Sequence, residues 1–212
     1  MTDCRLFLFT PKLTLAEVGA FAPRFAIAAE ASQAASALLR IAPGAESDVK
    51  RIAAPLLEIA VRLEVALLVE LDPRLAARLG VDGAHVAGVG PDFTQALDSL
   101  HPERIVGVGG LKLRDDAMEA GEAGADYVMF GEPRRDGFTP PVEDTLERVG
   151  WWAEIFQTPC VAYAASFDDA EELAAAGADF VAIGDALWSA PSLEDAARDL
   201  ARRVAVASSP RQ

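Results

Sequence analysis

The chain has 212 residues, enough to bury one sizeable core, with 51% apolar residues but only 7% aromatic ones. Ala, Leu and Val must therefore do most of the filling, which fits an Ala-rich helical shell around strands better than an aromatic-rich sandwich. A formal net charge of −14 with no basic cluster lacks the cationic footprint that nucleic acid or an anionic membrane requires, so neither is expected as a partner.

The opening stretch, MTDCRLFLFTPKL, carries a short apolar run with no basic segment before it. It reads as a first strand at 5–9 and not as a signal peptide. No window reaches the roughly 18 apolar residues of a membrane helix, and the expected location is cytoplasmic. A helical stretch broken at Pro23 leads to a second strand, SALLRI, at 36–41. The amphipathic segment 47–64 follows, with Ser47 as its N-cap and a kink at Pro55. VALLVE at 65–70 is the third strand. DPRLAARLG is a short helix with Pro73 in its first turn and Gly80 at its stop. GAHVAG at 83–88 gives the fourth strand, 92–100 a helix, and RIVGVG at 104–109 the fifth strand. Helices at 114–124, 142–156 and 167–177 then alternate with strands at 126–131, 159–164 and 179–184. A final helix at 193–207 precedes a polar tail at 208–212, and no linker divides residues 1–207, which are read as one domain.

Eight strands alternating with helices predict a single (β/α)8 TIM barrel. A doubly wound open sheet fits less well, because no Gly-rich dinucleotide loop follows a strand. The phrase Gly-Ala-Asp or Gly-Val-Asp recurs: Gly80, Gly124 and Gly177 each end a helix with positive φ expected, and Asp82, Asp126 and Asp179 follow two residues later. A helix stop before a strand lies at the bottom of a barrel, so these aspartates read as structural. Cys4 and Cys160 are far apart in sequence, match no metal spacing and each begin a strand, which predicts buried, reduced thiols.

The stretches LGVDGAHVAG, IVGVGGLKLRDDAMEAGEAGADYVMFGEP and TPCVAYAASFDDAEELAAAGADFVAIGDALWSAP together resemble the thiamine phosphate synthase and thiazole tautomerase family of barrels. The resemblance is good over 65–191 and looser before that. It implies the same barrel and a small-molecule ligand at its C-terminal face. The synthase activity it implies joins a pyrimidine diphosphate to a thiazole phosphate with Mg²⁺ and releases pyrophosphate.

Several positions depart from the family's pattern. The second strand typically ends Gln-Leu-Arg-Glu-Lys, where this chain has Leu38-Leu39-Arg40-Ile41-Ala42 and keeps the arginine. The Asn-Asp pair that ends strand three and holds the metal is Glu70-Leu71 here, and the fourth loop offers no carboxylate before Asp92. Mg²⁺ usually needs one or two carboxylates besides substrate phosphates, and Glu70 is the remaining candidate. Gly109-Gly110-Leu111 replaces a Ser-Thr-His loop whose His serves the tautomerase. A Lys that meets the pyrophosphate is absent from EPRRDGFTPP, which supplies Arg134 and Arg135 instead. The Gly-Gly of the phosphate cradle after strand seven is Ala164-Ala165-Ser166, and Val-Ser after strand eight is Gly184-Asp185. Asp185 would face a phosphate: two like charges about 4 Å apart repel by roughly 1 kcal/mol in water and about 4 at an effective dielectric of 20. That is enough to cancel a helix-dipole attraction of about 0.3–1 kcal/mol.

The candidate catalytic residues are Arg40, Glu70, Lys112 and Glu132. The candidate substrate- or phosphate-binding residues are Arg134, Arg135, Ser166, Gly184 and Asp185. The departures imply a family member whose activity is diverged or lost. A non-catalytic ligand- or protein-binding barrel, or an enzyme acting on a different, even non-phosphorylated, small molecule, stays open beside it. His85 sits within a short strand, either facing the helices or serving as acid–base group, and His101 is read as a solvated loop residue. Trp151 and Trp152 are adjacent on one helix and point apart, so one can pack on the barrel while its neighbour meets a partner in a homo-oligomer.

Overall fold

Eight parallel strands, each hydrogen-bonded to the next in chain order, close on themselves as β1 to β8. This is the expected (β/α)8 barrel, seen in a computed structural model that describes residues 4–70, 72–134 and 137–209. The strands are β1 (Arg5–Leu13), β2 (Ser36–Ile41), β3 (Ala66–Val69), β4 (Gly83–Ala87), β5 (Ile105–Gly109), β6 (Tyr127–Phe130), β7 (Cys160–Ala164) and β8 (Phe180–Ile183). The helices between them are α1 (Val18–Ser32), α2 (Glu46–Leu63), α3 (Pro73–Leu79), α4 (Pro91–Leu100), α5 (Arg114–Glu122), α6 (Val142–Ile155) and α7 (Phe167–Ala175). After β8 come a four-residue helix that the sequence reading lacks, α8 (Asp185–Trp188), and the closing α9 (Leu193–Ser208). Among the described residues no helix is long and apolar enough to cross a membrane.

Side chains alternate across each strand. On β1, Leu6 and Leu8 join the large cluster between sheet and helices, whereas Phe7 and Phe9 join a smaller one with Leu38, Leu68, Met129 and Val161 inside the barrel. The same parity turns Arg40, Glu70, His85 and Gly109 inward, because Leu39, Val69, Val86 and Val108 belong to the outer cluster. The barrel is thus filled with apolar side chains below and carries its polar residues at the C-terminal end.

The bottom is held as the recurring aspartates suggest. Asp82, Asp126 and Asp179 each accept, through Oδ2, a backbone N–H from the first two residues of the preceding strand, of Leu67 (2.8 Å), Val106 (2.7 Å) and Cys160 (2.8 Å). Each returns its own N–H to the carbonyl of the same residue. This reciprocal pair fixes strand register and satisfies both amides. The glycines ahead of them have φ of +76° (Gly80), +100° (Gly124) and +104° (Gly177), a region that residues bearing a Cβ rarely enter. His101 is not merely solvated: its Nε2 lies 2.7 Å from Asp126 Oδ2.

Two helix expectations fail. Pro23 does not break α1, which runs through it as α2 runs through Pro55. The carbonyls the two prolines free belong to Gly19 and Arg51, both exposed, so water can satisfy them. α2 starts at Glu46 behind Ala45, with no side-chain cap, and not behind Ser47. Cys4 and Cys160 are free and buried, and burial above all pushes both thiols up to about 12. Trp152 is buried and donates Nε1–H to Thr158 O, while Trp151 is half-buried under the Arg114 guanidinium, 4.7 Å from its ring centroid.

Candidate active site

The inward parity of β2, β3 and β4, together with the loops after β5 and β6, builds a cavity of about 580 Å³ at the C-terminal end of the barrel. Arg40, Glu70, Lys112, Glu132 and Arg134, all singled out from the sequence, line it together. Lys12 and His85 join them, and both were missed as site residues.

A bulge explains Lys12. Phe9 pairs with Leu38 and Lys12 with Arg40, so β1 spends one residue more than β2 over this stretch. The bulge contains Pro11, which has no N–H to offer a neighbouring strand. The extra residue reverses parity, and Lys12 faces the cavity while Leu13 packs outward, 2% exposed. The same bulge frees Thr10 O, which accepts from Arg40 Nε at 2.7 Å, and Thr10 Oγ1 accepts the Arg40 N–H at 3.0 Å. The Arg40 guanidinium stands 4.3 Å from the Phe9 ring centroid. Burial pulls its pKa below the usual arginine value, and the negative potentials of Glu70, Tyr163 and Asp185 oppose that.

Across the cavity, Gly131 takes φ +86° and turns the chain after β6 so that Glu132 points inward, 8% exposed. Its Oε1 accepts the Gly110 N–H. Burial, opposed by that hydrogen bond and by Arg134, pushes its carboxyl up to about 7. His85 lies beside it, pulled down to about 4 by burial, and its Nδ1 is 2.9 Å from the Tyr127 hydroxyl. These groups fit only because β5 carries two inward glycines. A Cβ at Gly109 would overlap Glu132 Oε1 and stand 2.8 Å from His85 Nε2, and one at Gly107 would overlap the Tyr127 ring. Inward facing thus corrects the reading in which His85 meets the helices.

The remaining candidates lie elsewhere. Ser166 caps α7: its Oγ accepts the Asp169 N–H at 3.1 Å, and Asp169 Oδ2 accepts the N–H groups of Ala165 and Ser166. Gly184 abuts the Tyr163 hydroxyl, and Asp185 is exposed at the start of α8. None of the three lines the cavity. Arg135 lies outside the described residues.

This site geometry sits in a chain with clear relatives. Residues 19–187 match the family model described as thiamine monophosphate synthase. A thiamine-phosphate synthase of Rhodospirillum centenum is 37% identical over 194 residues, 91% of this chain and 93% of that one. The chain belongs to the thiamine monophosphate synthase family. Another relative in that family, from Erythrobacter litoralis, is 38% identical over 152 residues, 68% of this chain and 70% of its own. Among solved structures, thiamine phosphate pyrophosphorylase from Pyrococcus furiosus superposes with a TM-score of 0.78 at 21% identity, covering 97% of this chain and 98% of that one. A 3-hexulose-6-phosphate synthase from Salmonella typhimurium reaches 0.70 at 16% identity, covering 94% and 98%. Likeness at that identity concerns the fold alone.

The family resemblance implies Mg²⁺, and the donor set can be tested against it. A hard divalent cation needs clustered oxygen ligands. Glu70, Asp72 and Asp92 border an adjoining recess of about 300 Å³, but Asp72 is engaged in capping α3 through the Arg74 N–H at 2.8 Å. Among the described residues no three His, Cys, Asp or Glu side chains are grouped so as to hold a metal ion. Glu70 itself lies within the field of the Arg40 guanidinium. The described residues thus form no three-ligand cage, and Glu70 and Asp92 are the carboxylates left to a Mg²⁺ that would also take substrate phosphates.

Proposed function

We propose that this chain is a diverged member of the thiamine monophosphate synthase family that binds a small phosphorylated molecule of the thiazole phosphate type and moves a proton on it. In this reading it does not join that molecule to a pyrimidine diphosphate. The observation that carries the proposal is Glu132, a buried carboxyl held by the Gly110 N–H at the cavity wall and poised near neutrality. A group with a pKa near 7 is populated in both forms at neutral pH, which suits general acid–base work. Glu132 Oε takes a proton from one ligand atom and returns it to another. The ligand is isomerised, and neither oxidant nor second substrate is consumed.

Anion binding falls to Lys12, Arg40, Lys112 and Arg134, which surround the cavity from the β1, β2, β5 and β6 side. Support for a shift away from the usual β7–β8 cradle comes from Asp169, whose carboxylate already occupies the Ala165 and Ser166 amides, and from the negative charge of Asp185. Glu70 balances Arg40 in the free protein.

Calorimetric titration with thiazole phosphate tests this. Affinity is expected to be the same in EDTA as in Mg²⁺, and Arg40→Ala should weaken it about tenfold or more, the cost of one hydrogen bond to a charged group. Binding that requires Mg²⁺, or that ignores Arg40, would contradict the reading.

A further inference from the structure

Tyr127 opens β6 and points into the barrel, 5% exposed, far below the cavity mouth. Its ring occupies the space a Gly107 side chain would fill, nearly parallel to His85 (16°, centroids 5.7 Å apart). Burial above all holds its hydroxyl well above the usual phenol pKa, so it keeps its proton. A buried O–H must donate to something, because leaving it unpaired costs a desolvation penalty. Among the described residues its one hydrogen-bond neighbour is His85 Nδ1, at 2.9 Å.

The donor therefore fixes the acceptor. Nδ1 uses its lone pair on Tyr127, and a neutral imidazole then carries its proton on Nε2. Nε2 has no protein partner among the described residues. No buried side-chain nitrogen or oxygen among them is left unpaired, so Nε2 is open to the cavity. It also stands over Gly109, on the same glycine as Glu132 Oε1.

We infer that Tyr127 is a positioning residue that holds His85 as the Nε2–H tautomer, so that His85 presents a neutral hydrogen-bond donor to the ligand beside the proton-carrying Glu132. This deepens the proton-transfer reading and rests on it for the ligand's part. His85 polarises an acceptor atom of the ligand, and the proton itself passes through Glu132. Only two inward glycines in one strand, at 107 and 109, leave room for the arrangement.

The tautomer is read directly from two-bond ¹⁵N–¹H correlations of the imidazole rings in the free, labelled protein at pH 7. There are two histidines, and His101→Gln assigns them. His85 is expected with Nδ1 in the unprotonated range and Nε2 in the protonated range. In Tyr127→Phe, which removes only the hydroxyl, the two nitrogens should move toward the averaged values of a tautomer mixture. Thiazole phosphate should then bind roughly threefold to tenfold more weakly. A proton on Nδ1 in the unaltered protein overturns the inference, whether or not the variant folds. An unchanged tautomer in a folded Tyr127→Phe overturns the role of Tyr127. Absence of thiazole phosphate binding in the unaltered protein counts against the proposed function but leaves the spectral test standing.

Discussion

Gly107→Ala should lower stability by about 3 kcal/mol, at the upper end of what inserting one methyl into a packed core costs. The added Cβ would overlap ring carbons of Tyr127, whose phenol is wedged inside the barrel and tied to His85. The ring must therefore leave its position, toward the cavity of about 170 Å³ that it lines with Phe7, Leu68 and Phe180. In a chain of this size a loss of that order lowers Tm by roughly 6–12 °C. Gly150→Ala is the control. Gly150 lies within α6, and a Cβ there meets nothing within 4 Å. It should stabilise by up to about 1 kcal/mol through helix propensity. Thermal denaturation of the two variants measures both. Equal effects would mean that the inner face of β5 is not filled as described.

Glu132→Gln is expected to change stability in a pH-dependent way. Glu132 has a folded pKa of about 7, raised from its ordinary value, so the stability it confers is fully present below its unfolded pKa and is lost as pH rises through 7. His85 has a folded pKa of about 4, depressed from its ordinary value, so its contribution is present above its unfolded pKa and is lost as pH falls toward 4. Between roughly pH 4.5 and 6.5 the two slopes oppose each other. Each state then holds one proton on the pair, on Glu132 when folded and on His85 when unfolded. Glutamine keeps the acceptor for Gly110 N–H and removes the buried charge. Above pH 8 the variant should be more stable than the unaltered protein by on the order of 3 kcal/mol, and at pH 5 that advantage should shrink to under about 1 kcal/mol. Urea denaturation at the two pH values decides it, because titrations remote from Glu132 cancel in the difference. A difference independent of pH would mean that Glu132 ionises like a surface carboxylate.

The barrel was legible because its signals are local and repeated. Apolar runs alternate with amphipathic helices, and three glycine stops are each followed by an aspartate that now clamps the neighbouring strand. Arg40 and Glu70 were legible as strand ends. His85 could have been found by parity, since Ala84 and Val86 already supply the outward face of β4. Ser166 could have been read as a helix cap from its spacing to Asp169, an acidic residue three positions on. Lys12 was hidden because one bulge residue reverses parity, and Pro11 was the sole hint. The burial of Glu132 depends on a positive φ at Gly131 and on an absent side chain at Gly109, two strands of context that no local pattern carries. Motif comparison marks which family side chains are missing. The cavity marks which groups gather in their place.

The most direct measurement is turnover with pyrimidine diphosphate, thiazole phosphate and Mg²⁺, following pyrophosphate release by protein verified as folded. The account predicts none above background, with thiazole phosphate nevertheless bound. Robust, Mg²⁺-dependent release of pyrophosphate would contradict it. That result would mean that Glu70 and the substrate phosphates suffice to hold the metal, and that the cavity performs the family's transfer after all.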